Sequence, residues 1–122
     1  MSVQIEIADE ILTARIIGDI DHHNAKELRE TIDNAVVAGQ IRALELDFRE
    51  VSFMDSSGIG LVMGRYKLMQ ELGGTLHLQN VASHLREVMV LAGLDRLAVL
   101  DRPERERRGA PEQSNETGGG EQ

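Results

Sequence analysis

Cysteine is absent from the 122 residues, which removes disulfide frameworks, thiolate metal sites and thiol redox switching together. Aromatic side chains are almost absent as well. Phe48, Phe53 and Tyr66 are the whole supply, too few to build stacking platforms for bases or sugars, so aliphatic residues must form the core. No apolar run approaches the roughly 18 residues of a membrane span, and the opening MSVQIEIADE carries acids where a signal peptide has basic residues followed by an apolar stretch. A cytoplasmic chain with no membrane partner is expected. Positive charge is scarce too: thirteen Lys and Arg stand against twenty-one Asp and Glu, for a net charge of -8, and the basic residues are scattered. That distribution argues against nucleic acid as a partner.

Several chemical signatures are missing in the same way. The glycines Gly58, Gly60 and Gly64 do not make GxGxxG, no GK[ST] follows, and there is no GxSxG elbow for a nucleophilic serine. The four histidines, His22, His23, His77 and His84, offer no evident triad partner. His22 and His23 beside Asp21 are the only candidate metal cluster, and nothing in the sequence completes a coordination shell. No cofactor, no metal and no catalytic residue are expected of this chain.

What is present reads as one α/β domain over residues 1–102. Val3, Ile5 and Ile7 alternate with polar residues, Asp9-Glu10 interrupts, and a β-branched run resumes from Ile11 to Ile17 and ends at Gly18, the pattern of a hairpin. Asn24 and Glu27 have capping-box spacing ahead of Leu28, Ile32, Ala35 and Val36, predicting a helix over residues 24–38 that ends at Gly39. Leu44, Leu46 and Phe48 alternate as a third strand. Helical period returns with Ile59, Val62, Met63, Tyr66, Met69 and Leu72 as an apolar stripe, Arg65 and Lys67 outside it, and Gly73-Gly74 as a stop. Leu76 and Leu78 predict a fourth strand, residues 85–92 a third helix closed by Gly93, and residues 97–100 a fifth strand. The order β-β-α-β-α-β-α-β predicts a mixed sheet with helices packed on one face, because right-handed crossovers keep successive helices on one side. Residues 103–122, PERERRGAPEQSNETGGGEQ, have Ala110 as their one aliphatic side chain and are expected to form a disordered acidic, glycine-rich tail.

The remaining feature is VSFMDSSGIG, residues 51–60, where an apolar strand ends in an acid, two serines and a glycine before a helix begins. One of Asp55, Ser56 and Ser57 is expected to cap that helix. A cap accounts for one side chain and leaves another hydroxyl on an exposed rim, close to a positive dipole end that favours an anion. Phosphorylation there would add about -1.5 to -2 charge beside Asp55 and act as a docking switch.

Taken together, GDIDHH at residues 18–23 and FMDSSGIGL at 53–61, followed by GRYK at 64–67, resemble the STAS domains of anti-sigma factor antagonists, those of the sporulation branch most of all. The likeness covers residues 3–101. It implies a STAS-like fold and a partner-switching regulator, not an enzyme: unphosphorylated, such a protein binds an anti-sigma factor that is also a serine kinase, frees its sigma factor, and is reset by a serine phosphatase. The nucleotide belongs to the kinase. By motif the phosphate falls on Ser56, while Asp21, His22, His23, Asp55, Ser56, Ser57 and Gly58 fall on the partner-binding surface, and the free chain is expected to be monomeric. A general-stress sigma pathway is the alternative within the family. A small nucleotide-binding module or hydrolase using the same loop is the alternative outside it. Where relatives often show Ser-Pro at the start of the third helix, this chain has Ala82-Ser83.

Overall fold

A computed structural model describes residues 3–100, so the tail expected from Pro103 lies outside the described residues. Strands β1 (Val3–Ala8) and β2 (Ile11–Ile17) pair antiparallel, with Val3 opposite Ile16 and Ala8 opposite Ile11. Asp9 and Glu10 both adopt positive φ, 55° and 67°, the two-residue turn whose twist matches that of a hairpin. The chain continues through α1 (Ala25–Gly39), β3 (Ala43–Glu50), α2 (Ser56–Glu71), β4 (Thr75–Gln79), α3 (Ser83–Leu91), a single turn α4 (Leu94–Leu97) and β5 (Val99–Leu100). The five strands lie side by side in chain order, and every pair after the hairpin is parallel. The expected element order holds, with two adjustments at its end. The short turn α4 was not anticipated; it takes up Leu97, with Ala98 as its C-cap, and leaves β5 only two residues long.

Register explains the layering. Leu12, Leu44 and Leu76 lie abreast across β2, β3 and β4, as do Ala14, Leu46 and Leu78, and all six are buried. They form one core with Leu28, Ile32 and Val36 of α1, Leu61, Val62 and Met69 of α2, and Leu85 and Met89 of α3. The alternate positions, Thr13, Glu45 and His77 in one row and Arg15, Asp47 and Gln79 in the next, are polar. An alternating strand with one polar face is what a sheet covered by helices on one side requires. On the polar face Asp47 is buried and satisfied: its Oδ1 accepts from the Arg49 N–H and from Asn80 Nδ2, each at 2.9 Å, and Arg15 Nε lies 3.7 Å from Oδ2.

Two helix expectations need correction. Asn24 stands at the N-cap position of α1, yet its side chain makes no capping bond. Its Oδ1 accepts from the Asp21 N–H at 3.0 Å and its Nδ2 donates to the Asp19 carbonyl at 2.8 Å, so the amide ties the preceding loop together. At the other end α1 includes Gly39, and Gln40 takes the left-handed conformation in place of a glycine. On α2 the buried positions are Gly58, Leu61, Val62, Arg65 and Met69, while Met63 and Leu72 are exposed. Arg65 was placed outside the apolar stripe; it lies inside because Asp33 of α1 meets it, with Nε 2.8 Å from Oδ1. Burial pushes the Asp33 carboxyl upward against the pull of Arg65 and Arg29, and lowers Arg65 against the pull of Asp33.

Candidate functional site

The carboxyl ends of β2 and β3 are adjacent because the two strands are parallel, and their loops are stitched together. The Gly18 N–H donates to the Glu50 carbonyl (3.1 Å), the Ile20 N–H to Phe53 (3.0 Å) and the Asp55 N–H to Ile20 (3.1 Å). Gly18 turns out of β2 at φ 94°, which a side chain would resist. Ile20 and Met54 form an isolated parallel bridge and are both buried, anchoring the loops to the core. After these anchors His22 on one loop reaches Asp55 on the other at the rim of the sheet, with Asp21, His23 and Ser56 as their chain neighbours.

Asp55 is the cap anticipated for α2. Its backbone is extended and its Oδ1 accepts from the Ser57 N–H at 2.8 Å. That N–H, helped by the Ser57 hydroxyl and His22 and opposed by burial, holds the Asp55 carboxyl below the usual carboxylate range. His22 Nδ1 lies 3.7 Å from the other carboxylate oxygen. Ser57 is thus half-buried and occupied with its cap, whereas Ser56, the first residue of α2, is exposed. The two serines differ in setting: the Ser57 N–H is bound by the Asp55 carboxylate, whereas the Ser56 side chain is exposed. Asp21 folds its own loop, accepting at Oδ1 from the N–H groups of His23 (2.9 Å) and Asn24 (3.2 Å). His23 Nδ1 is 3.8 Å from the same oxygen, and the two imidazole centroids are 4.1 Å apart.

Gly58 has a different place. It is buried, and a Cβ built on it would stand 2.6 to 3.0 Å from Sδ, Cβ and Cγ of Met54. It brings α2 down onto the bridge residue and lies beneath the rim. Sequence reasoning missed Ser52, whose hydroxyl donates to Asp19 Oδ1 (3.0 Å) and whose carbonyl accepts from His84 Nε2 (2.6 Å). One residue thereby joins both loops to the first turn of α3. An exposed serine ahead of a motif has no periodic signal by which this could be found. At the N-cap of α3, Ala82 supplies no side-chain bond, consistent with the departure from Ser-Pro.

In charge the rim is one-sided. Residues 18–25 and 50–58 contain Asp19, Asp21, Glu50 and Asp55 but no Lys or Arg. Among the described residues no group of three or more His, Asp or Glu is arranged to hold a metal ion, and no helix is long and apolar enough to cross a membrane. The rim can present one hydroxyl to another protein's active site, and its charge changes sharply if that hydroxyl is modified. One consequence concerns acid. Because folding lowers the Asp55 carboxyl, its contribution to stability is present above the unfolded value and lost as pH falls through the folded one. Asp55→Asn, which keeps a capping oxygen, is expected to be the less stable of the two at neutral pH and to converge on the wild type only in acid below the lowered folded value of the carboxyl. Parallel denaturation curves from pH 2 to 7 test this, and a difference that does not vary with pH would refute it.

The STAS domain family model matches residues 2–106. The chain is 33% identical over 96 residues to an anti-sigma F factor antagonist of Paenibacillus polymyxa, covering 77% of this chain and 82% of that protein. It is 31% identical over 94 residues to an anti-sigma-B factor antagonist of Bacillus subtilis, covering 77% and 84%. Among solved structures it is similar to the Bacillus cell fate determinant SpoIIAA in its phosphorylated form, with 32% identity, a TM-score of 0.66 and coverage of 87% of this chain and 96% of that one.

Proposed function

The chain belongs to the STAS-domain family, among the anti-sigma factor antagonists, and from that premise we propose that it works as a phosphorylation-controlled partner switch. Unphosphorylated, it binds an anti-sigma factor that carries nucleotide and serine kinase activity, and the sigma factor is released. Transfer of a phosphoryl group to Ser56 ends the binding, and a serine phosphatase restores it. The chain is therefore a ligand and a substrate, not a catalyst, and its setting is the cytoplasm. The observation that carries the reading lies at the start of α2: Asp55 caps the helix by accepting from the Ser57 N–H, and the Ser56 side chain is exposed with no hydrogen bond among the described residues. The Asp21–His22–His23 segment lies against the same rim and extends the surface a partner would contact. The Ser56 hydroxyl attacks the γ-phosphorus of the partner's ATP, the bond to the β-phosphate oxygen breaks, and ADP leaves; the base that accepts the serine proton belongs to the kinase.

A general-stress partner is the second reading, favoured by the near-equal identity to the anti-sigma-B antagonist. Both are tested together by incubating the purified chain with anti-sigma kinases of the sporulation and the general-stress kind, plus ATP, and locating added phosphate by mass spectrometry. Phosphate on Ser56 from one kinase is the expected result and identifies the branch. Phosphate on Ser57 would move the switch by one residue, and no incorporation from either kinase would refute the reading.

A further inference from the structure

A phosphoryl group on Ser56 would enter an acidic rim, and the imidazole that reaches the adjoining Asp55 is that of His22. Ile20 and Met54 are paired in parallel register, so His22 stands two residues beyond one bridge partner as Ser56 stands two residues beyond the other. His22 reaches across the same gap, with Nδ1 3.7 Å from Asp55 Oδ2. Its ring is largely exposed and free to turn from that carboxylate toward a stronger anion next to it. The other candidates are directed elsewhere. His23 is held 3.8 Å from Asp21 Oδ1 on its own loop, and Arg29 lines a groove between α1 and α2 with Ala25, Ser57, Gly60 and Leu61. The groups that face His22 are Asp55 from the α2 end and His23 from its own loop. Asp21 reaches it through His23, and Asp19 closes the loop from behind through Ser52 and Asn24. Lys26, the second residue of α1, is exposed.

We propose that His22 is the counter-ion of the phosphate on Ser56, so that the charge of the phosphorylated state depends on pH near neutrality. Unlike an arginine, an imidazole takes and releases its proton in that range, and so does a phosphoserine at its second ionisation. Two such groups in contact titrate as a coupled pair, the imidazolium favouring the phosphate dianion. An acidic rim with a titratable cation makes the off state of the switch sensitive to the pH of its surroundings. A phosphate on Ser57 would face the permanently charged Arg29 groove, and only its own second ionisation would then vary with pH.

This inference rests on Ser56 as the modified residue, and its test is independent of any kinase. Phosphoserine is placed at position 56 by genetic encoding in the full chain, and its second ionisation is followed by phosphorus NMR from pH 4 to 9. His22→Gln is expected to raise the midpoint by on the order of half a pH unit, modest because both groups stand in solvent, and more at low salt. His22→Lys is expected to hold the midpoint at or below the wild-type value, a rescue that a merely structural histidine would not show. An unchanged midpoint in His22→Gln, or a shift produced by Arg29→Gln instead, would overturn the proposal. Failure of both kinases to phosphorylate Ser56 would refute the switch and leave this measurement intact.

Discussion

Phosphorylated on Ser56, the chain is expected to bind its nucleotide-loaded anti-sigma partner about a hundredfold or more weaker than the unmodified form. The effect comes from docking and not from unfolding. A new anion at the first residue of α2 meets backbone N–H groups and the positive end of the helix dipole, which accommodate it. The same dianion placed in a contact built for a neutral hydroxyl must give up its hydration, and any partner carboxylate nearby adds repulsion. Ser56→Ala should bind at close to wild-type affinity and resist inactivation. Ser56→Asp should bind weakly, yet less weakly than the phosphoprotein, since it carries less charge and fewer oxygens. Calorimetry of the four forms against the loaded partner decides the matter: equal affinities for phosphorylated and unphosphorylated chains would remove the switch.

The second large effect is expected inside the domain, at the pair joining α1 to α2. Arg65 is buried, and although its Nε lies 2.8 Å from Asp33 Oδ1 the two are not aligned as donor and acceptor. Its Nη1 is buried with no hydrogen-bond partner among the described residues. Such a guanidinium depends on one imperfect counter-charge. Asp33→Ala removes that charge and should cost about 2 kcal/mol, below the 3–5 seen for fully buried pairs because Asp33 is partly exposed. For a domain of this size that is roughly 10 °C in Tm. Arg65→Met, which replaces the poorly paired group by an apolar side chain of similar volume, should stay within about 1 kcal/mol of wild type. The Asp33 carboxylate left behind can turn to solvent. Thermal and urea unfolding of both variants supply the comparison, and a larger loss for Arg65→Met than for Asp33→Ala would contradict this account.

Arg65 also marks where the sequence is hardest to read. Its helix was predicted from apolar period, and a charged residue is assigned by that rule to the solvent side. The partner that reverses the assignment sits on another helix, 32 positions earlier, and pairing across elements leaves no periodic trace. Asn24 is the same problem on a smaller scale: its spacing to Glu27 satisfies the capping pattern, but the Asp19 carbonyl and Asp21 N–H compete for its amide and win. Strands were legible because Val3, Ile5 and Ile7, then Leu44, Leu46 and Phe48, and then Leu76 and Leu78 alternate within their own segments, and a period of two needs no knowledge of neighbours. The same locality explains why Asp55 could be expected among the caps from three adjacent residues, while Ser52 and His84, 32 positions apart, could not be connected. Gly58 was expected on the partner-binding surface by motif, and its burial below the rim against Met54 is a contact between elements that no motif shows.

The parallel arrangement of β2, β3 and β4 places the candidate rim at one end of the sheet and the β1–β2, α1–β3 and α2–β4 connections at the other. The hairpin turn at Asp9 and Glu10 is fastened to the start of β3, where the Arg42 N–H donates to the Glu10 carbonyl at 2.8 Å, and the start of β4 is fastened there by the Thr75 N–H to the Arg42 carbonyl. β3 alone has eight residues, which at roughly 3.3 Å each puts that end on the order of 25 Å from Ser56. Gln40 and Glu10 at this far end are exposed. A fluorophore or surface tether attached there would report rotation and capture of the whole molecule while leaving the docking rim unobstructed, so binding and release can be followed in real time on a single labelled chain.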